Sequence, residues 1–221
     1  MKRKITGIST TTLLCLLLAA SASADVLYDN GAANGTFDAF TITGQMLSDS
    51  FTLSADSMLT GVSVGLWVPE GDSPLTVEWS IVISSLPDDE TLMDGPFTAS
   101  LSNLSHFTNA YGYDVYTSSF SFGGLGLAAG THWLRLENGR TSKSQGLFLW
   151  DQTNGPSQAW DIYRGVLTAA NNCGGAGFAP ASGYCSEAFQ IYGTTIPEPS
   201  SLALFGSGLL LIRLLRRKLS R

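Results

Sequence analysis

Histidines are the scarcest reactive side chains in this sequence. Only His106 and His132 occur among 221 residues, so a Ser-His-Asp or Cys-His site would need one of them. His132 alternates with Leu134 and Leu136, which predicts a place on the core face of a strand. His106 lies in the polar run LSNLSHFTN, and the chain contains no G-x-S-x-G, H-E-x-x-H or P-loop pattern. We therefore predict no catalytic residue and no enzyme.

Carboxylates are the next candidates, because a pair of them can hydrolyse a glycosidic bond. Glu78 lies on the outer face of one predicted strand and Asp151 at the end of another, at a separation that the sequence leaves open. Further acids cluster in turns: Asp72, Asp88, Asp89, Glu90 and Asp94. None of these turns has EF-hand spacing. We predict a solvated acidic surface without a metal site or cofactor, and a calcium site is the alternative.

Three tryptophans and one aspartate are candidate ligand-binding residues. Trp67 and Trp133 stand opposite the apolar stripes of their strands, where an exposed ring can stack on a sugar or on another protein. Trp150 and Asp151 open a segment that mixes aromatic, carboxylate and amide groups in a predicted loop. The alternative for the rings is burial under a neighbouring layer, and for the loop it is a hydrogen-bonded turn.

The positions of these residues depend on a chain that alternates with period two. In the run Leu75 to Ile83 the odd positions are apolar, whereas Thr76, Glu78 and Ser80 are polar, as in a strand with one buried face. Further strands are predicted around residues 51–53, 62–68, 113–122, 132–137, 146–150 and 188–192. The runs PEGDSP, PDDE, MDGP and ENGRTSKSQG are predicted turns. About ten such strands indicate an all-β fold, an antiparallel β-sandwich or jelly roll.

The N-terminal segment 1–24 is predicted to be a signal peptide. A basic start, Met1 to Lys4, precedes the apolar run Leu13 to Ala20, and the small residues Ala22 and Ala24 then fit the cleavage rule of signal peptidase. The signal helix would be removed, and the domain at 25–195 would fold outside the cytoplasm. Cys173 and Cys185 would remain in an oxidising compartment, where we predict a disulfide rather than a zinc site.

Charge is segregated along the chain. Residues 25–196 contain 17 acids against four bases, a net charge of −13 with histidine neutral. The four bases are Arg135, Arg140, Lys143 and Arg164. A domain this acidic repels polyanions, which excludes nucleic acid and anionic polysaccharide as partners.

The C-terminal segment has three parts. Pro197, Glu198 and Pro199 form a hinge that continues neither a strand nor a helix. The apolar stretch 201–215 follows, and as a helix it would be about 22 Å long, shorter than the hydrocarbon core of roughly 30 Å. The basic residues that would stop transfer on the cytoplasmic side are Arg213, Arg216, Arg217 and Lys218. This pattern predicts a short transmembrane helix with the β-domain outside.

The order Ile196-Pro197-Glu198-Pro199, apolar helix and arginine-rich end resembles the PEP-CTERM sorting signal of Gram-negative bacteria that make extracellular polysaccharide. The resemblance implies that residues 196–221 are recognised by an exosortase, which cuts near the Pro-Glu-Pro. An ordinary tail anchor is the alternative. The stretches SDSFTL, AGTHWL, WDQTNGPS and FQIYG also resemble an ectodomain that recurs in such precursors, which implies a β-sandwich of unknown activity.

Together these observations predict an exported, exosortase-processed protein with a structural or adhesive role in a biofilm matrix. It would be anchored briefly in the inner membrane and then reach the cell surface or the extracellular matrix. The predicted partners are signal peptidase, exosortase, the membrane and extracellular polysaccharide. The alternative function is a carbohydrate-active enzyme or a carbohydrate-binding module that acts on that polysaccharide.

Overall fold

A computed structural model describes residues 24–36, 38–143, 146–170 and 185–197, together with five helical residues at 206, 208, 209, 213 and 216. The strands are β1 Asp25–Asp29, β2 Ala39–Thr41, β3 Met46–Leu53, β4 Ser57–Pro69, β5 Pro74–Val82, β6 Met93–Ser100, β7 Ser102–Thr108, β8 Tyr113–Leu127, β9 Gly130–Thr141, β10 Leu149–Thr153, β11 Ala159–Tyr163, β12 Val166–Ala169, β13 Ser186–Glu187 and β14 Phe189–Thr195. A 3-10 helix, Glu90–Leu92, lies between β5 and β6. The all-β prediction is confirmed.

The strands form two antiparallel sheets. The larger sheet has the order β1-β14-β4-β10-β13, with β8 on the other side of β4, β7 beyond β8, and β2 on β10. The smaller sheet has the order β12-β11-β3-β9-β5-β6. β4 organises the larger sheet, because it pairs with β8 along its whole length and with both β14 and β10 on its other side.

Both sheets contribute to one hydrophobic core. Most of its large members come from seven strands: Leu47, Phe51, Leu59, Leu66, Trp79, Ile81, Phe120, Leu134, Leu136, Trp150, Phe189 and Ile191. Each fully buried aliphatic or aromatic side chain of this size stabilises the fold by about 1.5–3 kcal/mol relative to exposure. The inward faces of the two sheets are therefore held against each other by the alternating residues that the sequence contains.

The predicted burial of the inner face of β5 is confirmed for the middle residues and wrong for the residues at its two ends. Val77, Trp79 and Ile81 are buried, with exposed fractions of 5% or less. Leu75 and Ile83 are 51% and 44% exposed, because they lie at the margins of the sheet. Alternation thus identifies the face but does not show where the neighbouring layer stops.

The outer face of β5 differs from the prediction only in its second half, since Thr76 and Glu78 are partly exposed. Ser80 and Val82 are almost fully buried. The segment that follows β5 folds back over this face: the Trp133 indole nitrogen donates to the Ser84 carbonyl at 3.1 Å, and a guanidinium nitrogen of Arg135 lies 4.0 Å from Glu90 Oε1. A second, thinner layer therefore covers the middle of the smaller sheet.

The run MDGP is not a turn but the beginning of β6. Met93 pairs with Val82 and Asp94 with Ile81, and the register then shifts between Ile81 and Trp79. Gly95 lies at this shift with φ +125°, which a residue with a side chain rarely adopts. The residues that indicated a turn form a β-bulge in an edge strand instead.

Candidate functional sites

The C-terminal segment leaves the fold at the end of β14. Thr195 pairs with Ser57 of β4, and the Ile196 amide donates to the Asp56 carbonyl at 2.7 Å. Thr195, Ile196 and Pro197 are exposed. Pro197 is thus the first exposed residue after the last main-chain bond to the domain, while Glu198 and Pro199 lie outside the described residues.

The N-terminal processing position lies at the same end of the domain. β1 begins at Asp25, directly after exposed Ala24, and Asp25 pairs with Gly193 of β14. Because the pair is antiparallel, the beginning of β1 and the end of β14 are neighbours. The two predicted targeting segments therefore leave the domain side by side, although Ala22 lies outside the described residues.

The tail beyond the hinge is described only in part. Arg213 and Arg216 are helical and exposed, whereas Arg217 and Lys218 lie outside the described residues. Within the portion of the chain that is described, no helix is long and apolar enough to cross a bilayer. The predicted transmembrane helix at 201–215 falls largely outside that portion.

Trp67 and Asp151 form a buried hydrogen-bonded pair. The Trp67 indole nitrogen donates to Asp151 Oδ1 at 2.6 Å, and Oδ2 accepts from the amides of Asn34 and Gly35 at 2.7 and 3.3 Å. Burial raises the pKa of Asp151 to about 6, although the hydrogen bonds from Asn34, Gly35 and Trp67 lower it. This carboxylate holds the segment before β2 beside Trp67, and the rings of Tyr111 and Tyr113 lie 5.9 and 5.7 Å from its ring, so that Trp67 is only 3% exposed.

The other two predicted ligand-binding tryptophans are also buried. Trp133 is 7% exposed, and Trp150 is fully buried with its indole nitrogen donating to the Ala188 carbonyl at 3.0 Å. Of the two interpretations of Trp67 and Trp133, burial under a neighbouring layer is confirmed and exposure of the rings is not, because loops from distant parts of the chain cover both. Asp151 is buried in the larger sheet, so it does not form an open pair with Glu78 of the smaller sheet.

A groove lies where β6, the edge of the smaller sheet, approaches β8 of the larger one. Its volume is about 560 Å³, and its walls carry the rings of Trp79, Phe97 and Phe122 beside the carboxylate of Asp94. Trp79 stacks on Phe122 with ring centroids 4.5 Å apart, and Phe97 is 45% exposed. Sequence reasoning missed this groove, although the Phe120 and Phe122 alternation in SSFSFG places two rings on one face of β8.

A polar centre lies between the sheets. Asp49 shares the inner face of β3 with Leu47 and Phe51, and its Oδ2 accepts from the Glu187 amide at 2.6 Å and from Ser157 Oγ at 2.7 Å. Burial raises the pKa of Asp49 to about 8 against the lowering effect of these bonds. The only sequence signal was a carboxylate in register with buried apolar residues.

Asn30 completes this polar centre from the loop after β1. Its side-chain nitrogen lies 2.5 Å from Ser157 Oγ, 2.8 Å from Ser186 Oγ and 2.6 Å from the Glu187 carbonyl. Gly155 packs directly against the Asn30 side chain, since a Cβ at position 155 would lie 2.4 Å from Asn30 Oδ1. The centre thus joins β1, β3, β13 and the loop after β10 into one network.

Glu187 and Gln152 lie beside this centre. Both are buried, with exposed fractions of 0% and 1%. Among the described residues, no hydrogen-bond partner is found for either carboxylate oxygen of Glu187 or for the side-chain oxygen of Gln152. Burial raises the pKa of Glu187 well above its ordinary value, and the charges of Asp49, Asp151 and Asp38 add to the rise.

The remaining predictions concern the disulfide and the acidic turns. Cys185 is fully buried and disulfide-bonded, and its predicted partner Cys173 lies outside the described residues. Asp72 anchors a turn by accepting from Ser142 Oγ at 2.8 Å and from the Lys143 amide at 3.0 Å. In the part of the chain that the structure describes, no three His, Cys, Asp or Glu side chains are grouped to hold a metal ion.

A search of the curated proteins found no match to this chain. The family model of the PEP-CTERM protein-sorting motif matches residues 195–218, so the match begins at the last residue of β14. Such a motif marks an exported protein that is associated with the membrane for a time and is processed by an exosortase. The chain therefore contains, at residues 195–218, a segment that matches the PEP-CTERM protein-sorting motif.

Proposed function

We propose that this protein is a surface or extracellular-matrix protein with a structural or adhesive role, and that it catalyses no reaction. Two antiparallel sheets around a shared core support its description as a β-sandwich of the jelly-roll kind. The observation that carries the adhesive role is the aromatic groove between β6 and β8. The paired exit of both targeting segments supports a domain that is delivered across the membrane and then released from it.

The groove suits a neutral sugar. Phe97 offers an exposed ring, and the flat face of a ring packs against the C–H groups of a pyranose. Hydroxyl groups of Thr98, Ser100 and Ser121 and the Asp94 carboxylate line the same groove and can bond sugar hydroxyls. The net charge of −13 over residues 25–196 disfavours an anionic polysaccharide, so we propose neutral extracellular polysaccharide as the ligand.

Substitution of Phe97 tests this ligand. The Phe97→Ala variant is expected to lose about 1 kcal/mol of stacking, which weakens retention on the host's neutral polysaccharide about fivefold. Affinity electrophoresis through gels that contain the polysaccharide measures retention. Phe107→Ala is the matched control, because Phe107 is also 45% exposed but lies on β7 outside the groove. Equal retention of both variants and the unsubstituted protein would refute the proposal.

Processing is proposed to occur within Pro197 to Pro199. The support is that Pro197 is exposed immediately after the last main-chain bond of the domain, where a membrane enzyme can reach it. Mass spectrometry of the protein recovered from its host is expected to show that the C-terminal tail has been removed. The Glu198→Ala variant is expected to retain the tail. Glu70→Ala, in an exposed turn, is the control. An intact Arg221 in the unsubstituted protein would favour an ordinary tail anchor.

A carbohydrate-active enzyme is the second candidate, and one observation favours it. Glu78 lies directly opposite Glu137 in the β5–β9 pair, and the Asn138 amide nitrogen is 2.8 Å from Glu78 Oε2 and 3.4 Å from Glu137 Oε2. Burial raises the pKa of Glu137; the Arg135 charge lowers it, and the Glu78 charge raises it. The test is whether the protein releases reducing ends from polysaccharide. If it does, and if the Glu137→Gln variant does not, this function is established and the adhesive one is displaced.

A further inference from the structure

The polar centre places a serine hydroxyl against the side-chain amide of an asparagine. Ser157 Oγ lies 2.5 Å from Asn30 Nδ2, although the two residues are 127 positions apart in the chain. Because an amide C–N bond is about 1.33 Å long, the hydroxyl oxygen lies no more than about 3.8 Å from the Asn30 carbonyl carbon. Nucleophilic attack begins at about 3–3.5 Å, which a small rotation of the Ser157 side chain reaches. An oxygen nucleophile and a carboxamide carbon are therefore held within reach of each other.

A carboxylate is in place to take the hydroxyl proton. Ser157 Oγ donates to Asp49 Oδ2 at 2.7 Å, and the same carboxylate oxygen lies 3.4 Å from Asn30 Nδ2. Burial raises the pKa of Asp49 to about 8. A carboxyl group whose pKa is close to the ambient pH can both take a proton and return it, as general acid–base catalysis requires. Asp49 is thus placed to carry a proton from Ser157 to the amide nitrogen.

Two donors face the carbonyl oxygen of the Asn30 side chain. Oδ1 accepts from the Tyr28 hydroxyl at 3.1 Å and from the Ser157 amide at 3.3 Å, whereas Nδ2 lies 2.6 Å from the Glu187 carbonyl. Burial, and after it the charge of Asp49, raises the pKa of Tyr28, so this hydroxyl keeps its proton and remains a donor. Donors at this position stabilise the negative charge that develops on a carbonyl oxygen under attack.

Water is kept away from these groups. The exposed fractions of Asn30, Asp49 and Ser157 are 2% or less. Gly155 covers the amide from one side, since a Cβ at that position would lie 2.7 Å from Asn30 Cγ. A closed site of this kind keeps water from competing with the hydroxyl and shields an ester from hydrolysis.

We propose that Ser157 and Asn30 join in an ester bond that the folded chain forms by itself. Ser157 Oγ attacks Asn30 Cγ and forms the new C–O bond, while its proton passes to Asp49 Oδ2. The Cγ–Nδ2 bond then breaks, the nitrogen takes the proton from Asp49, and ammonia leaves. The released ammonia is protonated and diluted in solution, which prevents the reverse reaction. All atoms and electrons of the step come from these three side chains.

The ester would act as a covalent cross-link of the domain. It ties the loop after β1 to the loop between β10 and β11, so the first strand after the signal peptide cannot detach. The reaction happens once in each molecule and produces no turnover. It is independent of the sugar groove, which lies between β6 and β8.

A second reaction of Asn30 would release the same ammonia. Asn30 is followed by Gly31, and in an Asn-Gly pair the glycine nitrogen can attack the side-chain carbonyl to form a succinimide. In this fold the Gly31 amide instead donates to Asp29 Oδ1 at 2.9 Å. Because the two products have the same mass, the test must identify the residue that becomes attached to Asn30.

Mass spectrometry of the purified full chain in detergent, with its disulfide reduced, tests the proposal. The mass is expected to be lower than that of the sequence by one molecule of ammonia. Peptide mapping is expected to find a branched peptide that joins Asn30 to Ser157 and that mild alkali splits, as it splits esters. Ser157→Ala is expected to keep the full mass. Ser48→Ala is the matched control, because Ser48 is equally buried but neighbours Asp49 in β3 and so points to the opposite face.

The proposal is overturned if the folded, unsubstituted protein keeps its full mass. Loss of ammonia that persists in Ser157→Ala overturns it too, and assigns the loss to the succinimide. If Ser157→Ala does not fold, ammonia loss without a branch between Asn30 and Ser157 in the unsubstituted protein is the refuting result. Asp49→Asn is expected to slow the loss of ammonia about 100-fold, and an unchanged rate would contradict the proton transfer through Asp49.

Discussion

Asp49 is expected to make the stability of the domain fall as the pH rises. Burial between the sheets raises its pKa from the ordinary 3.8 to about 8 in the folded protein, while the unfolded chain keeps the ordinary value. Between these two pH values the folded state holds a proton that the unfolded state has lost, so unfolding releases one proton. The stabilising contribution is complete below pH 3.8, decreases through neutral pH and is lost near pH 8.

The size of the effect follows from one proton. Each pH unit inside this window lowers the free energy of unfolding by about 1.4 kcal/mol, which amounts to about 3 kcal/mol between pH 5 and pH 7. Asp49→Asn removes the titrating group. It also replaces one of the two accepting oxygens by an NH2 group, so the bond from the Ser50 amide to Oδ1 (2.7 Å) or that from the Glu187 amide to Oδ2 (2.6 Å) is lost, which lowers stability by a similar amount at every pH. The slope against pH, rather than the stability itself, therefore reports the proton.

Urea unfolding at pH 5, 6 and 7 in the presence of EDTA measures this slope. The unsubstituted protein is expected to lose about 3 kcal/mol more than Asp49→Asn across the series, because the titration of Asp151 is common to both proteins and cancels in the difference. With its pKa raised to about 8, Asp49 is protonated in the fold between pH 5 and pH 7, so the substitution removes no charge from beside Glu187 in this range. Asp88→Asn is the control, since Asp88 is an exposed acid in the loop after β5. Parallel curves for the unsubstituted protein and Asp49→Asn would show that Asp49 is ionised throughout, and the argument from burial would fail.

Two substitutions test the packing that hides the predicted ligand residues. Trp67→Phe removes the only side-chain donor that the described residues offer to the buried Asp151 carboxylate, and it is expected to cost about 1.5–3 kcal/mol in urea unfolding. The expected cost of Trp133→Phe is about 1 kcal/mol, because the Trp133 indole bonds a neutral carbonyl. Equal costs would mean that Asp151 is not charged in the fold. Gly155→Ala would place a Cβ 2.4 Å from Asn30 Oδ1, so we expect a loss of about 1–3 kcal/mol in the same assay. Gly123→Ala, with open space around it, is expected to change stability by less than about 0.5 kcal/mol, and similar losses in both would contradict the close contact.

Alternation predicted the existence of the central strands, since β3, β4, β5, β8, β9, β10 and β14 all overlap a predicted strand. The short or polar strands were missed. β7 has the sequence SNLSHFT and is exposed along its whole length, so no apolar stripe marks it. Its place beside β8 comes from main-chain pairing, which every non-proline residue can provide.

The candidate sites divide in the same way. Asp49 and Glu187 meet although 138 residues separate them, and neither position stands out in a local pattern. The groove joins residues of β6 and β8 that belong to different sheets. Trp67 and Trp133 stand opposite the apolar residues of their strands, as exposed rings would, and only the folded chain places other segments over them.

Local patterns were enough to predict the β character and a sorting motif at residues 196–221, where the family model matches residues 195–218, because both depend on residues within a few positions of each other. An apolar alternation, a proline hinge and a basic end act through local geometry and charge. The folded chain was needed to show which carboxylates are buried, which rings are covered and where the groove opens. Those properties depend on the packing of segments that are not neighbours in the chain, such as Trp133 and Ser84, 49 residues apart, and Asn30 and Ser157, 127 residues apart, and no local pattern contains their register.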